Sequence, residues 1–316
     1  MYLIKKIFGL ASPGGAHAKL SIFIFHRVLP EPDPLMPWEP DRRQFDALVG
    51  FISNAYNVLA LADAAKKLTA GTLPPCAAVI TFDDGYADNF TEAREILLKH
   101  GVSATFFIAT SFLNGGRMWN DDVIEAIRVV NDGVLDLSDF HLGRHLLNNI
   151  ESRIRCYESI LSELKYRPHG TRQKIARSIA RLCGLSDNSP LMMTTGQLIA
   201  LSQSGMEIGA HTETHPILNS LSDQDAEGEI LRGRSSLELI LGHKIEVFAY
   251  PNGAPGRDYG DQHVEMVRRA GFIAAVSTRV GVGRSNVDVQ QLPRFTPWDR
   301  TVGRFGLRSL AHLWRN

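Results

Sequence analysis

Ala77-Ala78-Val79-Ile80-Thr81-Phe82-Asp83-Asp84-Gly85-Tyr86 is an unbroken apolar run that stops at two adjacent carboxylates and a glycine. A strand with one wet face alternates apolar and polar side chains, whereas a continuously apolar strand is covered on both faces, as in parallel sheets flanked by helices. Similar short runs recur at 21–25, 104–108, 247–250 and 274–277. Helix-length segments separate them, and helices are expected over 41–52, 89–100, 222–241 and 262–270. Ser222 followed by Asp225 has the pattern of an N-cap, and Gly101 and Gly271 stand where helix C-termini favour glycine. The alternation gives an α/β fold; a barrel and a doubly wound sheet both satisfy it.

The chain has 316 residues, 44% of them apolar, which suits one elaborated domain spanning 1–316 better than two independent ones. Between 111 and 190 the pattern turns polar and helix-prone, and it reads as a helical insertion without a good strand. Thirty-four Lys plus Arg balance thirty-four Asp plus Glu, so no global field favours nucleic acid, and recognition of a charged substrate has to be local. Cys76, Cys156 and Cys183 are scattered and odd in number, the pattern of reduced thiols. The apolar start, interrupted by Lys5 and Lys6, suits neither a signal-peptide core nor a spanning helix, so a cytoplasmic location is expected. Both ends, 1–10 and 304–316, mix basic and large apolar residues at roughly helical spacing. Such helices either dock on the core or make peripheral contact with the inner membrane surface.

The chemistry gathers where the runs end. Asp83 and Asp84 follow directly on a buried-type strand, the position at which α/β domains place reactive groups. Neighbouring strand side chains point opposite ways, so bringing both carboxylates to one site needs a bend, for which Gly85 supplies the freedom. A plain Asp-Asp-Gly turn is the alternative. The second signal, His211-Thr212-Glu213-Thr214-His215-Pro216, follows the short strand-like Met206-Glu207-Ile208. Two imidazoles four residues apart can converge on one ion, and Pro216 places them on a loop rather than a helix; taken alone, a surface histidine pair reads the same. Together Asp84, His211 and His215 make a two-His, one-carboxylate set that suits hydrolytic metal chemistry. Asp83 is then free to act as the general base in attack on an amide carbonyl.

These two motifs closely resemble those of the polysaccharide deacetylases of carbohydrate esterase family 4. The resemblance runs from about Leu20 to Phe295 and leaves out most of the insertion. It implies a distorted (β/α) barrel with the site at the strands' C-terminal ends, and hydrolysis of the N-acetyl amide of an amino sugar in a glycan. It also implies Asp83 as catalytic base and Asp84, His211 and His215 as ligands of a divalent ion. Zinc is the first expectation, with cobalt, nickel, manganese or iron also accepted by such a set. The third family motif matches only in part. Ala249 stands where arginine is common, and Asn252 in Tyr250-Pro251-Asn252-Gly253 replaces the usual aromatic. The Asn252 N–H is the candidate oxyanion donor, a simple turn being the alternative. Arg294 in Leu292-Pro293-Arg294-Phe295 is the candidate to take over the family arginine's hydrogen bond to the base; a structural salt bridge is the alternative.

The family's Leu-x-His general acid is missing after Ala275. His26, just past the apolar 22–25, resembles that motif moved to the other terminus, the permuted order of exopolysaccharide deacetylases acting on poly-N-acetylglucosamine. An imidazole titrates near neutrality and can donate to the leaving nitrogen. Trp119 is a candidate to stack on a sugar ring, with core packing as the alternative, and Trp298 a weaker one. Tyr86 and Asn89 are expected to line the cleft. Rival substrates are a lipid-linked sugar or a small cyclic amide at the inner membrane face. A non-enzymatic carbohydrate-binding relic is disfavoured because the base and every ligand are present.

Overall fold

The computed structural model describes residues 2–186, 190–299 and 301–315. In chain order its strands are β1 (Leu20–Phe25), β2 (Asn57–Val58), β3 (Ala77–Phe82), β4 (Thr105–Ile108), β5 (Gly133–Asp136), β6 (Arg144–Leu147), β7 (Glu207–Ala210), β8 (Val247–Ala249), β9 (Ala274–Val280) and β10 (Leu292–Arg294). The helices are α1 (Tyr2–Ala11), α2 (Arg42–Ala55), α3 (Leu61–Thr69), α4 (Arg94–Lys99), α5 (Trp119–Val129), α6 (Ile150–Leu164), α7 (His169–Leu182), α8 (Thr195–Gln203), α9 (Asp223–Leu241), α10 (Asp261–Arg269) and α11 (Val302–Arg315).

The main sheet runs β1-β3-β4-β7-β8-β9-β10 with every pair parallel, and β2 adds to β3. Closure is made one residue past β10. The Phe295 N–H donates to the Ile22 carbonyl at 2.8 Å, and its carbonyl accepts from the Ile24 N–H at 3.1 Å. The result is the distorted, nearly closed (β/α) barrel that the motifs imply, and the doubly wound alternative falls. β1 and β3 are buried at every position, which is why both read as continuous apolar runs.

One set of alternate strand residues, including Ile22, Val79, Phe107, Val247 and Val276, packs with Leu61, Ala64 and Leu68 of α3. Leu20 and Ala77 begin their strands and belong to that cluster, so α3 closes the barrel at its N-terminal end. Glu207 of β7 caps α3, its carboxylate accepting from the N–H groups of Leu61 and Ala62 at 2.8 and 3.1 Å. The period of two puts Ala77, Val79, Thr81 and Asp83 on one side of β3, so Asp83 emerges at the open, C-terminal end. Phe25, Ile80, Phe82, Phe106 and Ile108, on the other side, join the larger core beneath the outer helices. The Ser222 hydroxyl accepts from the Asp225 N–H at 3.2 Å, and Gly101 and Gly271 have φ of +64° and +83°.

The segment expected as a helical insertion carries α5, α6 and α7, but it also holds an antiparallel hairpin, β5 with β6. These four-residue strands are mostly exposed and lack an apolar run, so nothing in the sequence marked them. The insertion has its own apolar cluster, with Ile127, Leu137, Tyr157, Ile160 and Ile179, joined by Leu29 and Leu35 from the loop after β1. Residues 187–189 lie outside the described residues. At the chain ends α1 packs against α2 and α11, with Phe8 edge-on to Phe51 and Tyr56. Among the described residues no helix is long and apolar enough to cross a membrane.

Candidate metal and catalytic site

The bend after β3 is made by two residues in the left-handed region, Asp84 at φ +78° and Gly85 at φ +93°. A non-glycine residue is rarely held there, and such strain gathers at functional positions. The bend turns the Asp84 carboxylate towards the loop after β7, where Thr212 and His215 also have positive φ. Asp84 Oδ1 lies 3.5 Å from His211 Nε2 and 3.4 Å from His215 Nε2, and it is buried without a hydrogen-bond partner. An orphaned buried oxygen is costly unless something pairs with it. Two donors each about 2 Å from one ion sit roughly 3.3 Å apart in tetrahedral geometry, so these spacings fit a shared cation.

Ring orientation fits as well. His211 Nδ1 donates to the Ala249 carbonyl at 2.7 Å, which turns Nε2 towards the cluster. Burial lowers this imidazole's pKa, but Asp84 and Asp83 outweigh it and raise it, so the two carboxylates favour a positive charge at the place a cation would take. Burial pushes His215 down to about 3, a neutral imidazole. Burial alone would raise the Asp84 carboxyl, but the facing His211 imidazole, together with His26, holds it well below the usual carboxylate range. Residue 249 therefore contributes through its backbone, for which alanine serves as well as any side chain.

Asp83 is clamped from β10, which lies on the far side of β1 from β3. Arg294, only 1% exposed at the end of β10, places Nη1 2.7 Å from Asp83 Oδ1 and Nη2 2.8 Å from Oδ2, while its Nε–H donates to the Ser277 carbonyl at 2.9 Å. The two-point fork fixes the carboxylate's plane. Burial would raise the Asp83 carboxyl, yet Arg294 and His211 bring it below its ordinary value, so it is ionised at neutral pH.

A cleft of about 340 Å³ opens over both aspartates. His26, just past β1, lines it together with Asn252 and Trp119. Asn252 has φ +59°, and no acceptor among the described residues takes its N–H; its carbonyl accepts from the Thr278 hydroxyl at 2.9 Å. Trp119, at the start of α5, lines the cleft and also packs against the insertion's cluster.

Three nominated residues do not reach the cleft. Tyr86 is buried, its hydroxyl donates to Asp121 at 3.0 Å, and Arg27 covers its ring at 4.9 Å. The chain leaving Gly85 passes beneath α5, so Tyr86 braces the helix that carries Trp119. The Asp121 it contacts, raised by burial to about 7, accepts from the Met118 N–H at 2.9 Å. Asn89 is fully buried and donates to the His26 carbonyl at 2.8 Å. Trp298 is exposed beneath the Arg308 guanidinium and lines no part of the cleft.

Sequence reasoning missed the supports and part of the wall. Glu229 of α9 holds the histidine loop, accepting from the Glu213 and Thr214 N–H groups at 3.0 and 2.8 Å and from the Thr214 hydroxyl at 2.7 Å. Its signal was available: a buried-face glutamate inside an otherwise amphipathic helix. Lys165 and Ser162, at the C-terminal end of α6, form a wall of the cleft, and no local pattern indicates that the insertion folds back over the barrel.

Fold and site together define a (β/α)-barrel protein built around a candidate metal centre at the C-terminal ends of its strands. The sequence model described as polysaccharide deacetylase matches residues 70–138 and 188–275. YxkH of Bacillus subtilis (strain 168), a protein named as a polysaccharide deacetylase, is 21% identical over 279 residues, covering 88% of this chain and 71% of that protein. The Streptococcus pyogenes deacetylase PplD, solved in complex with acetate, superposes with a TM-score of 0.62 at 17% identity over 93% of this chain and 98% of its own. IcaB from Ammonifex degensii gives a TM-score of 0.61 at 18% identity over 96% and 98%. The chain belongs to the polysaccharide deacetylase family.

Proposed function

We propose that this protein is a metal-dependent N-deacetylase that hydrolyses the acetamide of an amino sugar within a glycan. The observation that carries the reading is the orphaned Asp84 Oδ1 between two imidazole nitrogens, beside an aspartate ionised and clamped by Arg294. A divalent ion, zinc in the first instance, would be held by Asp84, His211 and His215 and would supply Lewis acidity towards a carbonyl oxygen and a water. Asp83 accepts the proton of the attacking water on one of its carboxylate oxygens, and Arg294 keeps that carboxylate ionised and aimed. The free Asn252 N–H donates to the oxygen that gains charge. His26, on the cleft wall, gives its proton to the departing amine nitrogen. Trp119 offers a face for the sugar ring. That PplD is described in complex with acetate agrees with acetate as the released product.

A second reading keeps the chemistry and moves the substrate to a lipid-linked amino sugar at a membrane face. It is favoured by exposed Leu10, Leu307 and Trp314 on the mutually packed α1 and α11, beside exposed Lys5, Arg304 and Arg315. One experiment tests both. Metal-stripped protein is reconstituted with zinc or cobalt, and acetate release is followed from N-acetylglucosamine oligomers and from a polyprenyl-linked N-acetyl sugar in anionic vesicles. Release from the oligomers that requires metal and is lost in Asp83→Asn supports the first reading; release only from vesicles supports the second. No release from either substrate by the reconstituted protein overturns the deacetylase.

A further inference from the structure

Beside the catalytic cleft lies a second, larger cavity of about 480 Å³, between α7 and the loop after β4. Its wall includes Arg117, Arg177, Arg181, His169, Gln173 and Thr214. One carboxylate, Asp122, also lines it, and that group is engaged by Arg117 Nε at 2.9 Å. Arg177 and Arg181, exposed and one turn apart on α7, meet no acidic partner or acceptor among the described residues. In a chain whose formal net charge is zero, this concentration of positive charge is local.

The partition between cavity and cleft carries the same sign. Arg172 is 2% exposed, and burial pulls its guanidinium down to about 10. No carboxylate among the described residues pairs with it. Nη1 donates to the Lys165 carbonyl at 2.9 Å, Nη2 lies 3.3 Å from His169 Nδ1, and Nε has no partner. Its guanidinium stacks 4.8 Å above the ring of Trp119, which lines the cleft, while His169 lines the cavity. Thr214 lines the cavity and the adjacent His215 the cleft. A buried, unpaired guanidinium is costly, and the cost falls when an anion settles nearby.

We propose that this cavity is a subsite for an anionic group, a carboxylate or a phosphate, on the glycan beside the acetamido sugar that occupies the cleft. The inference rests on the deacetylase reading for the identity of the neighbouring sugar, and on the cavity itself for the charge. Arg177 and Arg181 present planar forks of the kind that grip either oxyanion, and Arg172 adds a fixed field that solvent screens little. The insertion thereby selects charged glycans over neutral ones.

Two measurements decide it. In the first, metal-stripped protein is titrated calorimetrically with methyl glucuronide, glucose 6-phosphate and neutral methyl glucoside at low and high salt. The anionic probes bind, the neutral one does not, and binding weakens with salt. Arg177→Gln/Arg181→Gln loses about ten- to a hundredfold in affinity, the scale of removing hydrogen bonds to a charged group. Whichever anionic probe binds more tightly identifies carboxylate or phosphate as the source. In the second, acetate release is compared between neutral N-acetylglucosamine oligomers and oligomers carrying an adjacent uronate or phosphate. The double variant raises KM for the charged oligomers and leaves the neutral ones unchanged. Both arginines are exposed surface groups, and an unchanged melting temperature confirms that the variant is folded. Equal affinity in wild type and variant, or no binding of either anion at low salt, overturns the subsite. Anion binding without acetate release from any oligomer supports the subsite while the deacetylase reading fails.

Discussion

Arg294 is buried and makes both of its paired hydrogen bonds to Asp83, so removing it strands an ionised carboxylate in the barrel. Arg294→Met is expected to cost about 3–5 kcal/mol near neutral pH. The sign of its pH dependence follows from the direction of the shift. Burial pushes the Asp83 carboxyl up, but Arg294 and His211 hold it below its unfolded value, so the pair's contribution is present above the unfolded carboxylate range and lost as pH falls through the lower folded value. Without Arg294 that carboxyl rises, so the gap between wild type and variant is widest at about pH 7 and narrows by about pH 4. Urea unfolding at the two pH values measures it; a gap that does not change with pH would show that Asp83 is not the group involved. At this scale the sequence was legible where chemistry is written into adjacent letters. The convergence of Asp84 with His211 and His215 could be read from two short motifs. The position of Tyr86 could not, because it depends on where α5 lies above the bend rather than on anything next to Gly85.

The histidine loop keeps its strained backbone because α9 holds it at two points. Glu229 takes its N–H groups, and at Gly233 an added Cβ would sit 2.5 Å from the carbonyl carbon and oxygen of Thr212. Helix and loop backbones touch there, so Gly233→Ala has to push the loop away and tilt His211 and His215 off their common centre. Outer supports of this kind carry about ten- to a hundredfold in metal affinity. Competition with a chromogenic chelator is expected to show a loss on that scale in Gly233→Ala and a smaller one in Glu229→Gln, which retains one acceptor oxygen; unchanged affinity in both would mean that the loop holds itself. The helix, its Ser222 cap and a glutamate on its covered face were legible from periodicity, whereas the backbone contact at Gly233 was not. Periodicity says that a face is covered, and it does not say that backbone covers it. The β5–β6 hairpin was missed for a related reason: mostly exposed, four-residue strands have no apolar run to announce them.

Across the whole molecule, the candidate metal set joins the end of β3 to the loop after β7, with β4 lying between them in the sheet. The insertion supplies no ligand to this set and packs around its own apolar cluster, anchored by the loop after β1. An ion that binds the folded barrel and not the unfolded chain stabilises it by mass action, about 2.7 kcal/mol at a free concentration a hundredfold above Kd. For a chain of this length that corresponds to roughly 4 °C in melting temperature. The gain is expected with zinc in the wild type and absent in His215→Ala. Hydrogen exchange locates it: amides of β3 and β7 slow on adding zinc, while those of α7, which open with the insertion's separate cluster, keep their rates. Equal slowing in barrel and insertion would mean that the two open as one unit. An unchanged melting temperature with zinc in the wild type would mean that the orphaned Asp84 oxygen is satisfied by something other than a cation, and the catalytic reading would lose the observation on which it stands.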